Sequence, residues 1–121
     1  MSDEFKGFPV YVKALEAVKE INLLCQGVKD KEYYYLKDQI RRASSSVVLN
    51  IAEGSGKWTK KDKSNFYRIS RGSAFECIAA IDLFEAFQLI EEKQATRLKK
   101  ELNEIGRDLQ ALIISVDKRI K

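Results

Sequence analysis

The segment GKWTKKDK, residues 56–63, sets the chain's single tryptophan, Trp58, among four lysines: Lys57, Lys60, Lys61 and Lys63. Lysines neutralise phosphates, and an aromatic ring left in solvent can stack on an unpaired base. These residue types together make a candidate nucleic-acid contact. The competing reading is a solvated loop whose Trp58 folds back to cap the core. The surrounding charge raises the binding reading above that of an ordinary charge run. Residues 37–71 hold nine cations: Lys37, Arg41, Arg42, Lys57, Lys60, Lys61, Lys63, Arg68 and Arg71. They hold only three anions, Asp38, Glu53 and Asp62. That third of the chain is +6, which leaves −2 for the remainder of a chain whose total is +4. A hairpin of two helices is expected to bring these cations to one end of a bundle.

Enzymatic chemistry is hard to assemble from the rest. The 121 residues contain no histidine, so the commonest general base and metal ligand is missing. Ser44, Ser45 and Ser46 therefore have no imidazole to activate them. Gly54-Ser55-Gly56-Lys57 hints at a phosphate loop, but lacks the upstream glycine and the Ser or Thr after the lysine. Glu53, Glu76 and Asp82 could be imagined as a metal-binding cluster. Bundle di-metal sites pair Glu with His, so buried structural carboxylates are the better reading. Cys25 and Cys77 lack metal-ligand spacing and read as buried free thiols. Arg41, Arg42, Asn50 and Glu53 form one further constellation. Asn50 and Glu53 lie one helical turn apart, and the structural reading is favoured: a carboxylate with an arginine is a complete pair without substrate. No catalytic residue, metal or cofactor is expected.

Four amphipathic helices must position these groups. The first spans about Val10 to Gln26, with Tyr11, Ala14, Leu15, Val18, Ile21, Cys25 and Val28 as its stripe. Pro9 suits its first turn and Gly27 a left-handed end. Asp30 is a candidate N-cap for the second, striped by Leu36, Ile40, Ala43, Val47 and Ile51. That helix should reach about Glu53, with Gly54, Ser55 and Gly56 ending it through positive φ. Thr59 with Asp62 signals the start of the third. Its face is read as Phe66, Ile69, Ser73, Cys77, Ala80, Phe84 and Phe87, with Gly72, Ser73, Ala74, Ala79 and Ala80 allowing close approach of a neighbour. A turn is placed near Leu89–Glu92. Leu98, Leu102, Ile105, Leu109, Leu112, Val116 and Ile120 then form the cleanest seam. With one proline and six glycines, an all-β fold is excluded. The expected fold is all-α: an antiparallel up-down four-helix bundle forming one domain over residues 1–121. No membrane span or secretory signal is visible, so a cytoplasmic protein is expected.

QIRRASSSVVLNIAEGSGK, residues 39–57, resembles the signature of the four-helix-bundle proteins encoded by 23S ribosomal RNA intervening sequences. Gln39, Arg41, Arg42, Ala43, Ser46, Asn50, Ile51, Ala52, Glu53 and Gly54 carry the match. Phe66, Gly72, Ser73 and Glu76 carry a second block. That family is similar in fold to the accessory variability proteins of diversity-generating retroelements, which are basic bundles that bind nucleic acid and a reverse transcriptase. The resemblance implies a ring-shaped homopentamer without enzymatic activity. It also makes Asn50, Glu53, Gly54, Gly72, Ser73 and Glu76 signature positions of the fold.

Together these expectations describe a non-catalytic bundle that binds RNA or DNA through Arg41, Arg42, Lys57, Trp58, Lys60, Lys61, Lys63, Arg68 and Arg71, with a reverse transcriptase as a further partner. The alternative is a structural or protein-interaction bundle that binds no nucleic acid.

Overall fold

A computed structural model describes residues 4–118, and all of their regular structure is helical. Four long helices follow one another: α1 Pro9–Gly27, α2 Tyr34–Ser55, α3 Lys60–Ala86 and α4 Glu92–Lys118. Short 3-10 turns, Glu4–Gly7 and Lys31–Tyr33, lead into α1 and α2. Cross-helix pairs fix the topology. Ser46 meets Ser73 and Ser55 meets Tyr67, so α2 and α3 are antiparallel. Lys99 meets Asp82 while Ser64 meets Asp117, so α3 and α4 are antiparallel as well. Lys13 on Asp108 closes α1 against α4 in the same sense. The result is an up-down-up-down bundle in which α2–α3 and α3–α4 are the thick seams and α1 is held more thinly.

The core follows the sequence pattern on α2 and α4. Leu36, Ile40, Ala43, Val47 and Ile51 are all buried, as are Leu98, Leu102, Ile105, Leu109 and Val116. Ile113 joins the α4 seam, Leu112 is half-buried, and Ile120 lies outside the described residues. Two expected faces hold in part: Ala14, Ile21, Cys25 and Val28 are buried as expected, and so are Ser73, Cys77, Ala80 and Phe84. On α1 the buried line is Val10, Ala14, Ala17, Ile21, Leu24 and Val28, leaving Leu15 exposed. On α3 it is Tyr67, Ser70, Ala74, Cys77, Ile81 and Phe84, in strict three-four alternation. Ile69 and Phe87 are exposed instead. The true α3 seam contains a serine, which is admitted because Ser70 Oγ donates to Val47 O at 2.7 Å.

The helix ends also depart from expectation. Thr59 caps α3, accepting from Asp62 N at 3.1 Å. Asp30 caps the 3-10 turn ahead of α2, not α2 itself. No described glycine has positive φ, so Gly27, Gly54 and Gly56 do not end helices in the left-handed way. Among the described residues the one left-handed residue is Gln88, φ 61°, in the turn between α3 and α4. Gly54 instead lies inside α2, where a Cβ would stand 2.7 Å from Tyr67 Cε1 and 3.1 Å from Lys63 O. Its missing side chain is what lets α3 approach.

Candidate nucleic-acid interface

The turn between α2 and α3 is built by its flanks. Gly56 N donates back to Ala52 O and Glu53 O, closing α2. Lys63 Nζ donates to Ser55 O at 3.0 Å, tying the start of α3 to that end. Tyr67 is buried beneath, its hydroxyl 3.0 Å from Ser55 Oγ. These bonds hold a short tip from which the indole projects. Trp58 is 98% exposed. The reading in which it caps the core is thereby overturned. A lone apolar ring in solvent is ordinary on a protein surface; the four lysines around Trp58 are what set it apart.

The lysines around it are engaged to different degrees. Lys57 Nζ lies 3.1 Å from Glu53 Oε2 and 5.0 Å above the Phe66 ring. Lys60 Nζ donates to Asp117 O at 2.9 Å. Lys61 is exposed and has no ion pair or hydrogen bond among the described residues. Arg68 reaches Asp117 Oδ2 at 3.4 Å, and the same carboxylate accepts from Ser64 Oγ at 2.7 Å. Asp117, absent from the sequence-derived site, thus tempers two of its cations from the end of α4. Such exposed pairs are worth roughly 0–1 kcal/mol, so a phosphate can displace them.

Not every expected contact is near this tip. Arg41 and Arg42 lie 13–14 residues before Ser55 on α2, about 20 Å along the axis. An Arg41 N–H donates to Asn22 Oδ1 at 3.3 Å, and Arg42 lines a groove with Tyr35, Asp38, Gln39 and Glu76. Arg71 sits 4.7 Å over the Phe75 ring with its Nε buried. The cations of residues 37–71 therefore do not gather at one end. Lys57, Trp58, Lys60, Lys61 and Lys63 form the tip, Arg68 adjoins it, and Arg41, Arg42 and Arg71 belong to the shaft.

The signature residues form a separate feature. Gln39, Arg42, Ser46, Asn50 and Glu53 recur at three- and four-residue steps along α2, as do Phe66, Ile69, Ser73 and Glu76 along α3. Gln39, Arg42 and Glu76 line a groove with Tyr35 and Asp38 where α2 and α3 meet. Ser46 Oγ and Ser73 Oγ are 2.8 Å apart across the same pair of helices, and Asn50 Nδ2 donates to Ser46 O and Oγ, both at 2.9 Å. Asn50 is a structural residue here. Glu53 is exposed, and its ion pair is with Lys57, not with Arg41 or Arg42. Glu76 and Asp82 are exposed too, so the expectation of buried carboxylates fails; Asp82 pairs with Lys99 at 2.7 Å. A Cβ on Gly72 would meet nothing within 4 Å. Among the described residues no three His, Cys, Asp or Glu side chains converge to hold a metal. No helix among them is long and apolar enough to cross a membrane. Cys25 and Cys77 are unpaired core thiols, and burial pushes Cys77 up to about 12.

Comparisons with known proteins agree with this architecture. The family model described as 23S rRNA-intervening sequence protein matches residues 6–111. A solved structure of a protein with unknown function from the S23 ribosomal protein family of Bacteroides thetaiotaomicron is 25% identical. The match spans 86% of this chain and 97% of that one, with a TM-score of 0.81. A search of curated proteins found no match.

Proposed function

The chain belongs to the 23S rRNA-intervening sequence protein family, and from that premise we propose that it is a non-catalytic, nucleic-acid-binding bundle that works as a homo-oligomer. The observation that carries this reading is Trp58, 98% exposed at a tip beside Lys57, Lys60, Lys61 and Lys63. The lysines take phosphates without reading sequence, and the indole stacks on a base that is not paired. Single-stranded or locally melted RNA or DNA is the substrate class this chemistry fits. Several copies of the tip in one assembly turn a weak contact into useful avidity.

The outer α2–α3 groove supports the assembly half of the proposal. On the α2–α3 pair Ile69 is 44% exposed and Leu49 is 65% exposed. Apolar surface on that scale, interleaved with Arg42, Glu53 and Glu76, suits a second copy of the chain better than water. A closed ring, five-fold by resemblance, is the expected form, and docking of a reverse transcriptase is a further reading that a neighbouring gene for such an enzyme would support. If the groove were the whole story, the protein would be an interaction bundle without nucleic acid.

The test is a quadruple change of Lys57, Lys60, Lys61 and Lys63 to Gln. Retention on RNA or DNA should be abolished while helicity and oligomer size stay as in the wild type. Wild-type affinity and salt dependence in that variant would remove the tip as the site.

A further inference from the structure

On the side of the bundle formed by α1 and α4, Glu20 and Glu101 line one groove with Glu16 and Glu104, and both reach the same guanidinium, Arg97. Two carboxylates offer only acceptors, so a bond between them needs a proton on one. Arg97, one turn before Glu101, donates to Glu20 Oε1 and lies 3.6 Å from Glu101 Oε2. Glu20 Oε2 is buried and receives no hydrogen bond from any N–H or hydroxyl among the described residues. A buried acceptor without a donor is costly. The neighbour able to supply the missing hydrogen is a protonated Glu101.

The charged surroundings favour retention of that proton. Glu104 of α4 acts on Glu101 as a second anion. Glu16 of α1 lines the same groove, and Lys13 beside it is engaged with Asp108 at 2.9 Å. Arg97 is the one cation acting on the pair, and no charged group of α2 or α3 acts on either carboxyl.

We propose that Glu20 and Glu101 share a single proton and form a clasp that fastens α1 to α4 at mildly acidic pH and loosens above neutrality. The hydrogen bond to Glu20, then burial, pushes Glu101 up to about 7, while the bond from Glu101 holds Glu20 below the usual carboxylate range. The raised member binds its proton more tightly folded than unfolded. Its stabilisation is complete below the ordinary glutamate value of 4.5 and is lost as pH rises toward 7. The lowered member works the other way, so its share is lost as pH falls below 4.5. The clasp is therefore strongest between these limits. Above about 7 two carboxylates face one guanidinium, with Glu104 adding repulsion across the thinner of the bundle's seams.

The test compares thermal unfolding of the wild type and Glu101→Gln at a series of pH values. The Gln amide is a permanent donor to Glu20 Oε2. The wild type should lose about 3 °C or more of Tm relative to this variant between about pH 5.5 and 8, while the variant's own curve is flatter there. Parallel curves would overturn the clasp. Side-chain carboxyl NMR of the wild type reads the same proton without any substitution. One glutamate titrating near 7 supports it, and all glutamates titrating below about 5.5 refute it.

Discussion

The α2–α3 and α1–α4 sides of this bundle are built from opposite materials. On α2–α3 the helices come close because small residues let them: Gly54 sits under Tyr67, Ser46 on Ser73, and Ser70 bonds to Val47 O. On α1–α4 the contacts are long charged side chains meeting across a groove, with Lys13 on Asp108 and Arg97 on Glu20. Packing of the first kind is insensitive to pH and salt and tolerates little change of volume. Contacts of the second kind tolerate volume but answer to pH and ionic strength. The tip proposed to bind nucleic acid grows from the closely packed side, which is where an exposed indole can be held in place. The proton clasp lies on the adjustable side.

The contrast can be broken by volume first. Gly54→Ala forces a methyl against the Tyr67 ring and the Lys63 carbonyl, and should cost about 1–3 kcal/mol in denaturant unfolding. A neutral result would mean that the α2–α3 contact is softer than its geometry. A smaller effect of opposite sign is expected nearby. Gly72→Ala puts the methyl into open space within α3, and should stabilise the monomeric fold by roughly 0.5–1 kcal/mol through helix propensity. If this variant is well folded but smaller by light scattering, the face of α3 that carries Gly72 is covered in the assembly. Unchanged size would point the interface elsewhere.

Much of this was legible in the sequence where side chains declare their environment. The stripes of α2 and α4 are nearly all aliphatic, and the Thr59–Asp62 cap is a local bond between near neighbours. The α1 and α3 faces were legible only in part, for one reason. Their buried lines include Ala17, Ser70 and Tyr67, whereas Leu15 and Ile69 are more apolar and lie outside. Close helix packing selects for size and for a satisfied hydroxyl, and hydrophobicity alone does not report either. The α3–α4 turn was faintly marked because its left-handed residue is Gln88 rather than a glycine. At the tip the residue types were readable, but the exposure of Trp58 was not. It depends on Tyr67 filling the space beneath, twelve positions from the Ser55 hydroxyl it meets. Asp117 was invisible as a partner of Lys60 and Arg68, since α4 reaches them only through the fold.

Binding of a single-stranded oligonucleotide across a salt series, by wild type and by Trp58→Ala, tests the tip most directly. Lysine–phosphate contacts set the slope of affinity against salt, and base stacking sets a salt-independent increment of about 1–3 kcal/mol per base. The predicted result is a variant with the wild-type slope and an affinity lower by roughly 5- to 150-fold at every salt concentration. Equal affinity of the two proteins, or binding by the wild type that does not weaken with salt, would contradict a nucleic-acid-binding tip.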